Sequence, residues 1–340
     1  MRRSEKQITD FKKNLIELVQ GEYPKFSENS TYQDMLFNVE QLRAEKLDIV
    51  ELRLMNTAFK ELRYALKVFK QYRSIPKAAV FGSARTPPNH PDFKFAEKFG
   101  KKLVKKGWMI ITGGASGIME AAMIGAGAEN SFGLNIMLPF EQDANPVIKG
   151  NQKLIFFKYF FTRKLMFLKE SEATVLFPGG FGTFDEGFES FTLVQTGKAK
   201  PRPLVLLDTP GSTFWKSTLQ LFKKNMETGG LISKGDLSLM RHFQDADKAT
   251  AEIVRFYSNY HSSRFFKDRY LIRLRKPLSA ADFDRLNRDF REMVTSGRFE
   301  RLTDLAEEDN KDPNLERILF SFDRISYNHL RALIDYLNTL

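Results

Sequence analysis

The stretch VLFPGGFGTFDEGFES, residues 175–190, combines residue types that could hold an anion beside a carboxylate. Pro178, Gly179, Gly180, Phe181, Gly182 and Thr183 join an apolar run to a helical pattern. Glycines let successive N–H groups turn into one concavity, and a helix N-terminus adds partial positive charge. A monophosphate fits such a cradle without a metal. Thr183 is expected to cap the helix and to offer its hydroxyl. Glu186 follows one turn later, where the helix dipole is expected to keep it ionised. Phosphate and carboxylate repel unless they serve different parts of one ligand. That places the phosphate at one end and the carboxylate further along, where a ribose would lie. Asp185 and Glu186 also read simply as favourable first-turn acids.

Three other segments carry candidate binding groups. In FFTRKLMF, Arg163 and Lys164 stand near the start of a predicted helix, where cations oppose the dipole. Their placement suggests an anionic partner, a solvated pair being the plainer reading. In VFGSARTPPNHPDF, Gly82 ends an apolar run, Ser83 offers a hydroxyl and Arg85 a fork of donors; an ordinary turn explains them equally. In ITGGASGIMEAAMIGA, Gly113 and Gly114 break a strand, Ser116 is placed to cap the next helix, and Gly117 allows close packing on the sheet. Met119 and Met123, at helical spacing, read as core.

Other chemistries lose ground. The chain has no cysteine, which removes disulfides and thiolate catalysis. Its four histidines are scattered without metal-ligand spacing, so no metal site is expected. Neither G-x-x-x-x-G-K-[ST] nor an initial G-x-G-x-x-G occurs. The formal net charge is +11, with most of the excess in residues 76–260. A basic surface favours small anions slightly. No like-charge tail or RNP motif is present, so no nucleic-acid partner is expected. No apolar run reaches the roughly eighteen residues of a membrane span, and the basic start is not followed by an apolar signal region, giving a cytoplasmic expectation without a membrane partner.

The elements needed to position these groups follow from periodicity. Residues 33–73 have helical spacing and end near Ser74–Pro76. From Lys77, apolar runs at 78–84, 108–114, 132–138, 173–180, 203–208 and 237–243 alternate with helices at 93–106, 116–128, 161–170, 183–196, 213–227 and 246–258. Such alternation predicts an α/β, Rossmann-like, doubly wound parallel sheet, with ligands at the carboxyl ends of its strands. After Tyr260, strands at RYLIRLRKPL, RFERLTDL and ERILFSFDR and helices at AADFDRLNRDFREMV and SYNHLRALIDYLN suggest a small α+β appendage. The expected organisation is an N-terminal helical segment 1–75, a central domain 76–260 and an appendage 261–340.

Together PGGFGTFDE (178–186), TRK (162–164) and GGASGIMEAA (113–122) resemble the LOG, or "lonely guy", family, formerly mislabelled as lysine decarboxylases. The resemblance covers about 76–245. GLNIMLPFEQDANP and FTLVQTGK, with the N-terminal helices, look like its long bacterial branch; the C-terminal appendage does not follow the short members. It implies hydrolysis of the N-glycosidic bond of a nucleoside 5′-monophosphate, AMP-like or a cytokinin ribotide, releasing base and ribose 5-phosphate. Arg163 and Glu186 match the family's catalytic pair, and Gly179, Gly180, Gly182 and Thr183 its phosphate loop. Gly82, Ser83, Gly113, Gly114 and Lys164 are further substrate-binding candidates. The family's site lies near a subunit boundary, which implies a homodimer or larger homo-oligomer. No cofactor is implied. A nucleotide sensor without turnover is the alternative.

Overall fold

A computed structural model describes residues 28–137, 144–303 and 312–340. Two helices come first, α1 (Glu28–Glu45) and α2 (Ile49–Phe69). Asp48 starts α2 by accepting from the N–H groups of Val50 and Glu51, while the Glu51 carboxylate accepts from Asp48 N–H. This reciprocal cap satisfies donors that the helix cannot.

Seven parallel strands follow in the spatial order β4-β3-β2-β1-β5-β6-β7. They are β1 (Lys77–Phe81), β2 (Met109–Thr112), β3 (Ser131–Ile136), β4 (Leu154–Phe157), β5 (Ala173–Leu176), β6 (Leu204–Leu207) and β7 (Met240–Phe243). The helices that cover the sheet are α3 (Pro91–Val104), α4 (Ile118–Ala126), α5 (Phe160–Lys169), α6 (Phe181–Gln195), α7 (Phe214–Phe222) and, after the last strand, α8 (Ala246–Phe256). Along β1, Ala78 and Val80 join one apolar layer with Phe99, Ala122 and Ile253. Ala79 and Phe81 join the other with Phe69, Phe132, Phe167 and Trp215. Burial on both faces is why these strands are continuously apolar. The Rossmann-like expectation therefore holds.

The strand β4 does not figure in the sequence reading, because LIFF is a short run between a loop and an aromatic helix. The expected helix at 213–227 is α-helical only to Phe222 and continues as a π-helical turn at Lys223–Glu227.

A second, antiparallel sheet has the order β10-β11-β9-β8, with β8 (Tyr260–Phe266), β9 (Arg269–Leu274), β10 (Glu300–Arg301) and β11 (Glu316–Phe320). Helices α9 (Ala280–Asp289) and α10 (Tyr327–Leu337) share an apolar core with it. The strand expected at RFERLTDL shrinks to Glu300–Arg301, and part of that stretch lies outside the described residues. The polar strand β8 escapes sequence reading because only Tyr260 and Ser263 along it are fully buried. Among the described residues, no helix is long and apolar enough to cross a membrane.

Candidate functional site

The chain runs outward from β1 to β4 on one side and restarts at β5 on the other. The strand order thus reverses between β1 and β5, and folds of this kind bind ligands outside the strands' carboxyl ends at such a point. The loops after β1, β2 and β5 meet there. Ser83 N–H donates to Pro178 O at 3.1 Å, and Ile118 N–H donates to Ser83 O at 3.0 Å. Gly117 makes the second contact feasible. It has φ +70°, and a Cβ there would lie 2.3 Å from Ser83 O. Ser116 does not cap α4, contrary to expectation; its hydroxyl donates to Ala84 O at 2.9 Å and stitches the same two loops. Asn145, which the sequence reading missed, is buried and donates from Nδ2 to Gly114 O and Ala115 O at 3.0 Å each. Gly114 N–H donates to Thr112 Oγ1 at 3.0 Å.

The glycine loop leads into α6, but its cap differs from expectation. Gly180 is the N-cap and has no side chain to contribute; Thr183 is the third helical residue. Thr183 is buried and its hydroxyl fills the space over Gly179, where a Cβ would lie 2.2 Å from Oγ1. The same Cβ would lie 2.9 Å from Ser83 N. The space over Gly180 and Gly182 is open. Phe181 and Gly182, first in the helix, have no i−4 carbonyl within it for their N–H groups. The loop thus presents backbone donors at a positive helix end, an arrangement suited to an anion.

Glu186 is buried one turn into α6. Its Oε1 lies 3.4 Å from Arg163 Nη2, and its Oε2 lies 3.6 Å from Lys164 Nζ. Lys164 Nζ also lies 2.8 Å from Asp185 Oδ2 and 2.9 Å from Glu189 Oε2. The two cations on α5 therefore face acids on α6, and the anionic partner suggested by the sequence is in the first place the protein itself. Asp185 gains a role as part of this cage. The Arg163 guanidinium packs 5.1 Å from the Phe160 ring centroid and 5.8 Å from that of Phe167. Its Nη1 would lie 3.9 Å from a Cβ at Gly113, so the β2 loop borders the pair. Met119 is half-buried beside Gly113 and is not core, whereas Met123 is. Arg85 is exposed, and its N–H donates to Ser83 Oγ at 3.1 Å.

The electrostatics run against the expectation that the helix dipole keeps Glu186 ionised. Burial pushes its pKa up, partly countered by Lys164 and Arg163 and reinforced by Glu189 and Asp185. For Lys164, burial opposes the charged form, but the bonds to Asp185 and Glu189 and the Glu186 charge outweigh it and raise its pKa. Glu186 is thus held closer to neutrality than a surface glutamate, beside an ammonium held firmly charged. Among the described residues, no group of three or more potential ligands could hold a metal ion.

Known proteins align with this region. Residues 117–253 match a family model described as "Possible lysine decarboxylase". The chain is 29% identical over 147 residues to the "Probable cytokinin riboside 5′-monophosphate phosphoribohydrolase LOG4" of Oryza sativa subsp. japonica, covering 42% of this chain and 61% of that relative. The match thus spans about three fifths of the rice protein. Among solved structures, a molybdenum cofactor carrier protein from Chlamydomonas reinhardtii overlaps with TM-score 0.37 at 22% identity, over 53% of this chain and 97% of that one. The DNA processing protein A of Helicobacter pylori overlaps with TM-score 0.39 at 16% identity, over 56% of this chain and 83% of that one.

Proposed function

The central part of this chain belongs to the LOG family, and from that premise we propose that it hydrolyses the N-glycosidic bond of a nucleoside 5′-monophosphate. The observation that carries the reading is the buried Glu186 carboxylate held between Arg163 and Lys164, one helical turn from an open glycine loop. The loop at Gly179, Gly180, Gly182 and Thr183 takes the 5′-phosphate. Gly82 and Ser83 stand on its β1 side; Gly113 borders Arg163, and Gly114 faces Gly133, Leu154 and Ile148. The phosphate contact supplies binding energy remote from the reacting bond and fixes the sugar in place.

The C1′–N bond breaks with its electron pair leaving on the base, and positive charge develops on the ribose, as in glycoside hydrolysis. Glu186 stabilises that charge and accepts a proton from the attacking water, whose oxygen forms the new bond to C1′. Its raised pKa suits a base that must also release the proton. Arg163 orients Glu186 and donates a hydrogen bond to the departing base, whose nitrogen takes the proton that Glu186 received from the water. The products are free base and ribose 5-phosphate.

A decarboxylase reading would need an unprotonated lysine amine. Lys164 is the lysine at this site, and three carboxylates hold it charged. It therefore acts here as a fixed cation, in place of the substrate contact expected from sequence. Phe160, Phe161, Leu165, Phe181 and Phe188 are exposed around the two helices of the site, Phe181 at 96%. That apolar rim suits a second copy of the chain, so a homo-oligomer in the cytoplasm is part of the same reading.

The test is purified protein with AMP, GMP, CMP and a cytokinin ribotide, following free base and ribose 5-phosphate. Stoichiometric release of both supports hydrolysis. Thermal stabilisation by a nucleotide without either product supports a sensor instead.

A further inference from the structure

The helix that carries Arg163 and Lys164 starts without a cap of its own. Tyr159 stands at the N-cap of α5 and makes no side-chain capping bond. Arg163 and Lys164, the fourth and fifth helical residues, make this a poor start, because they stand near the positive end of the dipole. A carboxylate reaches this helix start from far away in sequence. Glu61, on α2, accepts from Lys158 N–H at 2.6 Å through Oε1 and from the Thr162 hydroxyl at 2.5 Å through Oε2. Thr162 is fully buried and directly precedes Arg163. The Glu61 carboxylate thus ties down the residue before the N-cap and the Thr162 side chain, and puts a negative charge at the positive end of α5.

The rest of α2 fixes that carboxylate. Ala65 and Phe69, one and two turns beyond Glu61, are fully buried in the layer that also contains Met166 and Phe167 of α5. Phe69 stacks on Phe132 of β3 with ring centroids 4.3 Å apart. At the other end of α5, Arg202 Nη2 donates to Leu168 O at 2.9 Å. The helix is therefore clamped by an anion at its start and a cation at its end. Glu61 and Thr162 act on the register of α5 on its sheet, and hence on the 3.4 Å approach of Arg163 to Glu186.

We propose that Glu61 is a positioning residue for Arg163, so that the N-terminal helical segment is a working part of the site although it lies outside the matched residues 117–253. The kinetic side of this inference rests on the hydrolase reading; the structural side does not. A glutamine at 61 can still accept from Lys158 N–H and can donate to the Thr162 oxygen, whose proton then turns to Tyr159 O, 2.9 Å away. Alanine can do neither.

Wild-type protein, Glu61→Ala, Glu61→Gln, Thr162→Val and the Glu61→Ala/Thr162→Val double variant are compared by hydrogen exchange and by AMP turnover. Exchange in peptides covering 158–163 should quicken at least about tenfold in Glu61→Ala, with peptides from β5 to β7 unchanged, and much less in Glu61→Gln. In turnover, kcat should fall about tenfold in Glu61→Ala with KM within about twofold. Glu61→Gln should recover most of it, and the double variant should lose less than the two single losses combined, as for residues in contact. Unchanged exchange at 158–163 in both Glu61→Ala and Thr162→Val overturns the positioning role. So does normal kcat in Glu61→Ala, or additive losses in the double variant. If Glu61→Ala does not fold, Thr162→Val and Glu61→Gln decide by the same criteria. If the wild type cleaves no nucleotide, the hydrolase reading fails while the exchange data still decide the role of Glu61.

Discussion

At the scale of single residues, the account turns on one carboxylate in a crowded charge environment. Burial lifts the pKa of Glu186, and Lys164 and Arg163 restrain that lift. If its ionised form is needed, activity is lost as pH falls through this raised value. The acid limb of kcat/KM should lie above the ordinary glutamate range of about 4.3. Lys164→Met removes a cation that lowers the Glu186 pKa, so the limb should move to still higher pH. A pH–rate profile of the variant checks this; a limb unmoved or shifted downward would show that Lys164 does not tune Glu186. The candidate pair was legible in sequence, since Arg163 and Glu186 stand in recognisable motifs. The triple engagement of Lys164 was not. Asp185 and Glu189 look like ordinary acids on a helix, and only the packing of α5 against α6 brings them to one ammonium.

At the scale of elements, the site depends on loops stitched to one another more than on any one loop. Gly117 holds a positive φ while its backbone passes under Ser83 O. An alanine there is strained twice, by conformation and by contact, and Gly117→Ala should cost on the order of 1–3 kcal/mol. Denaturant unfolding measures that loss, and an unchanged midpoint would contradict the stitched-loop description. The main strands were readable because both faces of the parallel sheet are buried and their runs are continuously apolar. Short β4 and polar β8 lacked that signal. The capping roles given to Ser116 and Thr183 were misplaced, because residue type suggests a cap but the exact helix start decides it. In both cases the N-cap is a glycine; the Ser116 hydroxyl bonds the loop after β1, and the Thr183 hydroxyl packs over Gly179.

At the scale of the whole molecule, the C-terminal helix is joined to the parallel-sheet region by an ion network around buried Arg331. Arg331 of α10 bonds Glu252 of α8 and lies 3.2 Å from Asp335. Asp335 in turn lies 2.7 Å from Arg241 and 3.1 Å from Arg255. The Arg331 guanidinium also packs 4.8 Å from the Phe256 ring centroid. Without Arg331, Glu252 keeps Arg255 at 2.9 Å and Asp335 keeps Arg241 and Arg255. Arg331→Met should therefore destabilise the chain by less than the roughly 3–5 kcal/mol of a stranded buried charge. Calorimetry checks this, and a separate early transition for the C-terminal unit is the expected form of the loss. None of this network was visible in sequence, where Arg331 and Glu252 are 79 residues apart.

The central claim is that Glu186 performs chemistry on a nucleotide held by the glycine loop. The most direct measurement compares wild type with Glu186→Gln on AMP, recording adenine and ribose 5-phosphate together with nucleotide binding by calorimetry. The account predicts equimolar products from the wild type and a fall in kcat of about 10²-fold or more in the variant, with AMP still bound. Equal turnover by the two proteins would contradict it.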